Sequence, residues 1–170
     1  RLYAVNLLPG QRAIRDQCYP RLRTILYRRM MVRIASVIAG SVKAGALITG
    51  DALGQVASQT VSNLCTVSAA SSLLILRPLL TFDKKDTVQI AGRIQTLPIS
   101  NEQVPDSCTV FAPDNPVTTS RIGKVTAEEA KLDIPSLVQE CLENTVQINA
   151  ETKEECPVPK LAVLPPPSQS

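Results

Sequence analysis

"GDALGQVASQT", residues 50–60, follows the short apolar run "ALIT", and its reading decides how the rest of the chain is understood. A turn that only reverses the chain needs a glycine or two. Here Gly50, Asp51 and Gly54 fall within five positions, and Gln55, Ser58, Gln59 and Thr60 follow them. Glycine lets backbone N–H groups approach a ligand closely because it carries no side chain. A helix amino terminus behind such a loop adds partial positive charge suited to phosphate or carboxylate, and glutamine can read a base or ribose edge. The stretch is either an ordinary connection or a ligand loop at the carboxyl edge of a parallel sheet.

The flanking elements favour a sheet. "LYAVNLL" (2–8), with Pro9-Gly10 behind it, reads as a buried strand. Leu26, Met30, Ile34, Val37 and Ile38 recur at helical spacing between Thr24 and Ala39. Arg29 and Arg33 lie together on another face of that helix. "GALIT" reads as a strand, "QVASQTVSNLCTVSAAS" as a helix and "LLIL" (73–76) as a third strand. Asp83 can cap a further helix, with Asp86 at its positive end and Val88, Ala91 and Ile94 as an apolar seam. Strand and helix alternate three times. That alternation implies an α/β fold, a parallel sheet with crossover helices, whose ligands sit outside the carboxyl ends of the strands.

Composition removes several chemistries. The 170 residues contain no His, which excludes Ser-His-Asp and Cys-His catalysis and His-ligated metals. Aromatics are 3% of the chain, too few for a base-stacking sheet surface. Cys18, Cys65, Cys108, Cys141 and Cys156 form no CxxC pair and are odd in number, a poor basis for disulfides or zinc. Nothing at the amino terminus resembles a signal peptide, and "IASVIAGSV" is too short to span a bilayer. A cytoplasmic chain with no membrane contact is expected.

Charge is uneven. Residues 1–43 hold nine Lys and Arg against Asp16 alone, and the remainder holds nine basic and fourteen acidic residues. Such a basic block either neutralises phosphates or forms a solvated helix face. Arg28 or Arg29, near the start of its helix, is placed to meet a nucleotide phosphate under the first reading. Cys65 and Cys141 fall in apolar helical patterns, whereas Cys108 follows "VPDS" in an irregular, proline-bounded loop. A loop cysteine can act as a nucleophile if nearby positive charge lowers its pKa.

Together, "ILYRRMMVRIA", "ALITGDALGQVASQT", "LILRPLLTFDKKD" and "CTVFAPDNPVT" closely resemble the catalytic domain of the tRNA 4-thiouridine synthetases, also called thiamine biosynthesis sulfurtransferases. The resemblance runs from about residue 1 to about residue 133. It implies a pyrophosphatase-loop domain of the adenine nucleotide α-hydrolase-like class, in which ATP adenylates O4 of a tRNA uridine and sulfur replaces that oxygen. It implies that Arg28, Gly50 and Gln59 bind ATP and that Cys108 takes part in sulfur transfer, with no protein-held metal. It further implies Mg2+ with the ATP, tRNA as partner, a cysteine desulfurase as sulfur donor, a link to thiamine thiazole synthesis and a homodimer as an assembly.

The family's SGGxDS phosphate loop is absent from these residues, as are its amino-terminal RNA-binding domains and, in some members, a rhodanese domain. The chain is therefore expected to start at the second strand of the sheet, and Asp51 stands where Glu is common. The alternative reading is a non-catalytic nucleotide- or RNA-binding remnant; a third is an enzyme that modifies a different base. The expected organisation is a partial nucleotide-binding and sulfurtransferase domain over 1–133, an acidic helical extension over 134–156 and a proline-rich, disordered tail over 157–170.

Overall fold

A nineteen-residue helix organises the molecule. The computed structural model describes residues 1–103 and 111–158. The helix expected over 24–39 runs Arg23–Ser41 (α2), and its Ile25, Leu26, Tyr27, Met30, Val32 and Ile34 are buried. Before it lies α1 (Leu8–Gln17), with Pro9 in the first turn, where a missing N–H costs no hydrogen bond. Gly10 lets the two helices close up: a Cβ there would stand 3.3 Å from Met30 Cγ. On its other sides α2 meets α3 (Val61–Ser68), α6 (Ile122–Glu129) and α7 (Ile134–Glu143). Leu64, Val67, Val125, Val138, Cys141 and Leu142 complete one hydrophobic core.

The parallel pairing expected from the alternation is present. β2 (Ala46–Ile48) pairs in parallel with β3 (Leu74–Leu76), Leu47 opposite Ile75, and α3 lies in the crossover between them. Leu47 and Ile75 pack on the core, while Ile48, Leu74 and Leu76 of the same strands are exposed. Both strands finish at one edge, where the Thr49 N–H donates to the Leu76 carbonyl at 3.0 Å.

Three expectations are corrected. The strand expected over 2–8 is only β1 (Leu2–Ala4), and it joins no parallel sheet. It pairs antiparallel with β4 (Val146–Ile148), which pairs antiparallel with β5 (Glu155–Pro157). Residues 5–7 are irregular and the helix begins at Leu8, because Pro9 suits a first helical turn better than a strand. Second, the helical reading of 134–156 applies to α7; beyond it the chain makes the two short strands. Third, the seam of α4 (Lys84–Arg93), which the one-turn α5 (Leu97–Ser100) follows, is not buried. Its Asp83–Asp86 capping box forms as expected, yet the helix has no buried residue, and Val88 and Ile94 are exposed. A good cap and an apolar period start a helix; they do not supply a neighbour for it.

Among the described residues no helix is long and apolar enough to cross a membrane. Cys108 and residues 159–170 of the tail lie outside the described residues.

Candidate functional site

The turn after β2 does not lead straight into a helix. Gly54 takes φ +75°, a left-handed conformation that favours glycine, and a short 3-10 turn follows at Ala57–Gln59. The α-helix starts only at Val61, six residues later than the polar run suggested. Thr60 is its cap, its Oγ1 accepting from the Asn63 N–H at 3.2 Å. Ser, Thr and Asn side chains compete with the backbone for hydrogen bonds, so a run of them delays a helix and caps it.

Those polar groups are spent on two tasks. The first is a charged cluster at the carboxyl end of β2. Asp51 is 5% exposed. Its Oδ1 accepts from Arg28 Nη2 and, at 3.4 Å, from Gln59 Nε2. Its Oδ2 accepts from Thr49 Oγ1 at 2.8 Å and from Arg77 Nε at 3.1 Å. Arg28 Nη1 also donates to Ser58 Oγ at 3.2 Å, and Arg77 Nη2 donates to Ser68 Oγ at 2.9 Å. Burial alone would push the Asp51 carboxyl up, but the Thr49 hydroxyl and the Arg28 and Arg77 guanidiniums outweigh it and hold it below the ordinary value of 3.8. Two guanidiniums against one carboxylate leave a net positive charge beside the turn.

The second task ties down the segment that follows Cys108. Asn63, fully buried, donates through Nδ2 to the Val117 carbonyl at 2.9 Å and accepts the Ser120 N–H at 2.9 Å. Thr60 Oγ1 donates to the Thr118 carbonyl at 2.7 Å, and Ser62 Oγ donates to the Ser120 carbonyl at 2.6 Å. From the other side, Val117 N donates to the Arg21 carbonyl at 3.1 Å, and Arg21 Nε donates to the Asn115 carbonyl at 3.1 Å. Residues 117–120 are thereby stitched to the start of α3, and Asn115 and Val117 to Arg21 ahead of α2.

One position along α2, Arg29 enters a different cluster. It is 2% exposed and holds both oxygens of Glu129 at 2.8 Å, with Nη1 on the Thr66 carbonyl. Arg33 pairs with the same carboxylate. Burial would raise the Glu129 pKa, but its bonds to Arg33 and Arg29 outweigh it and keep the group below 4.5. The reading of Arg29 as a solvated or phosphate-facing arginine is corrected. Its partner lies a hundred residues away in sequence, beyond the reach of any local pattern.

Space and unmet hydrogen-bonding capacity adjoin the first cluster. A Cβ built on Gly50 meets nothing within 4 Å. Gln59 Oε1 is buried and accepts no hydrogen bond among the described residues. An orphaned buried acceptor costs free energy until a donor reaches it. A nucleotide offers such donors on its base and ribose, and its phosphates suit the excess positive charge.

The family model described as thiamine biosynthesis protein (ThiI) matches residues 1–134. The chain belongs to that family. It is 50% identical over 142 residues to a probable tRNA sulfurtransferase of Finegoldia magna, covering 84% of this chain and 36% of that relative. A probable tRNA sulfurtransferase of Moorella thermoacetica is 39% identical over 155 residues, covering 91% of this chain and 40% of the relative. Among solved structures, a 4-thiouridine synthetase–RNA complex with bound ATP superposes with a TM-score of 0.80 at 38% identity, over 85% of this chain and 38% of that one. The chain thus spans little more than a third of the length of the relatives it matches. The expected α/β class stands with them.

Within this ThiI-family chain, Arg28 and Gln59 meet on Asp51, and Gly50 adjoins them in sequence. Cys108, outside the described residues, is not placed. Sequence reasoning missed Arg77 and left Asp51 without a role. Both could have been found by asking what stands at the carboxyl ends of neighbouring parallel strands, since Asp51 follows β2 and Arg77 follows β3 directly. Cys65, expected in an apolar helical pattern, is exposed. Cys18 and Cys141 are buried; burial, with Glu128 nearby, pushes the Cys18 thiol up to about 11, and burial raises Cys141. Neither has the depressed pKa a nucleophile needs.

Proposed function

We propose that this chain supplies part of the catalytic domain of an ATP-dependent tRNA sulfurtransferase that makes 4-thiouridine, with the same chemistry feeding sulfur to thiamine thiazole synthesis. The observation that carries the proposal is the arginine-rich cluster on Asp51 beside the open Gly50 turn, with the unsatisfied Gln59 carbonyl next to it. Arg28 meets the phosphates of ATP. The Gly50 turn lets the nucleotide lie against the backbone, and Gln59 accepts from its base or ribose.

Adenylation at O4 of the uridine turns a poor leaving group into AMP, so that a sulfur nucleophile can displace it at C4. Cys108 acts in that delivery as a persulfide, with no histidine base required. Its outer sulfur attacks C4 and AMP leaves. A second thiol then attacks the Cys108 sulfur and forms a disulfide with it, and the S–S electron pair goes to the sulfur left on the uridine. The hydrogen bonds fixing residues 117–120 to the start of α3 support this reading, because the cap of that helix, Thr60, directly follows Gln59. Mg2+ arrives with the ATP phosphates. tRNA is the substrate, a cysteine desulfurase the sulfur donor, a homodimer the assembly and the cytoplasm the location.

Complementation tests the proposal. In cells lacking their own 4-thiouridine synthetase, the full-length gene product should restore thiolated tRNA, and Cys108→Ser should abolish it while Cys18, Cys65, Cys141 and Cys156 variants retain it. Wild-type thiolation by Cys108→Ser would overturn the assignment of that cysteine. Gly50→Val fills the open space beside the turn without a clash in the fold, so it should lower ATP affinity while leaving the melting temperature near wild type.

A further inference from the structure

Asp51 spends its whole carboxylate on side chains: Arg28 and Gln59 share Oδ1, while Thr49 and Arg77 share Oδ2. We propose that Asp51 is a positioning residue for the nucleotide, held from behind by Arg77 and fixing Arg28 and Gln59 in the orientation that ATP meets. The proposal rests on the nucleotide reading above and adds two residues to it.

The geometry distinguishes front from back. Arg77 faces away from the turn in its bonding: Nη2 goes to Ser68 Oγ on α3 at 2.9 Å and Nη1 to the Ile75 carbonyl at 3.5 Å. With Nε on Asp51, it bolts the carboxylate to β3 and α3 at once. Arg28 comes from α2 and reaches the carboxylate with Nη2 and Ser58 with Nη1, and among the described residues no partner takes its Nε. A guanidinium has five N–H donors in a rigid plane, so fixing two of its nitrogens fixes the direction of the rest. Gln59 is fixed likewise: with Nε2 on Oδ1, its Oε1 is the atom left for an incoming donor. Pre-organisation of this kind removes ordering costs that would otherwise fall on binding.

The alternative is that Asp51 serves only as a counter-ion, and the two ideas predict opposite signs. A counter-ion subtracts positive charge from an anion site, so Asp51→Asn would tighten ATP binding. A positioning residue gives the reverse: Asp51→Asn should weaken ATP binding about tenfold or more, the worth of a lost charge-assisted hydrogen bond. Asp51→Glu keeps the charge and should stay within about threefold of wild type, since one added methylene can be absorbed by the long arginine side chains. Arg77→Lys keeps the charge behind the carboxylate but cannot hold Asp51 and Ser68 together. It should weaken ATP binding although Arg77 itself meets no nucleotide.

The experiment is calorimetric titration of ATP into the full-length gene product for wild type and these three variants, with a thermal melt of each. Weakening in Asp51→Asn, rescue in Asp51→Glu and weakening in Arg77→Lys bear the proposal out. If Asp51→Asn does not fold, Arg77→Lys and Asp51→Glu decide the matter on their own. Unchanged or tighter binding in folded Asp51→Asn or in Arg77→Lys overturns it and leaves the nucleotide site standing. A wild type that does not bind ATP overturns the nucleotide reading, and this inference with it.

Discussion

Arg28 and Arg29 are consecutive residues of α2, and each belongs to a cluster of two arginines on one carboxylate. Arg28 shares Asp51 with Arg77; Arg29 shares Glu129 with Arg33. The inventories match, but the surroundings do not. Glu129 is gripped on both oxygens by two guanidiniums, and Arg29 uses its remaining reach on a backbone carbonyl of α3. That cluster is closed, and its work is to pin α6 to α2 and α3. The Asp51 cluster is open. Among the described residues it adjoins a glycine with empty space around it and an amide oxygen with no partner. The same ion-pair chemistry makes a brace where packed helices close around it and leaves an unmet acceptor and open space where they do not.

The brace is where substitution should cost most stability. Glu129→Ala strands the Arg29 guanidinium without a counter-ion in the core, and breaking such a buried pair costs about 3–5 kcal/mol. Urea denaturation should show that loss as a lower midpoint; a change under about 1 kcal/mol would mean the brace is not closed. Asn63→Ala, which removes the ties to Val117 and Ser120, should cost about 2–3 kcal/mol by leaving buried backbone groups unsatisfied. Arg28→Met should cost less, about 1–2 kcal/mol, because Asp51 keeps Arg77 and Thr49. A larger loss for Arg28→Met than for Glu129→Ala would reverse the comparison of brace and site.

Acid probes both clusters together. Asp51 and Glu129 each have a folded pKa held below the ordinary values of 3.8 and 4.5. Their contribution to stability is therefore fully present above those values and is lost as pH falls through the lower folded ones. Unfolding free energy should be flat in this respect from neutral pH down to about 5 and fall below about 4. In Asp51→Asn and Glu129→Gln the acid slope should become shallower. The smallest effect belongs to a region outside both clusters. Asp83→Ala removes a capping box on a helix with no buried residue and should cost about 1 kcal/mol or less, without touching ATP binding.

Local chemistry was legible in the residues. The period of Leu26, Met30 and Ile34 marked α2, the apolar run at 46–48 and its glycine turn marked the end of a strand, and Asp83 with Asp86 marked a cap, because each signal lies within a few residues of what it specifies. The motif resemblance rested on the same short stretches, and the family match over residues 1–134 agrees with it. What the sequence could not declare is which arginine joins which cluster. Arg28 and Arg29 have the same side chain, helix and neighbours in the chain. Their fates differ because α6 brings Glu129 to one, while the ends of β2 and β3 bring Asp51 and Arg77 to the other. Hydrophobic period and capping act through nearest neighbours; an ion pair joins whatever the packed core sets side by side, and only the tertiary structure decides that.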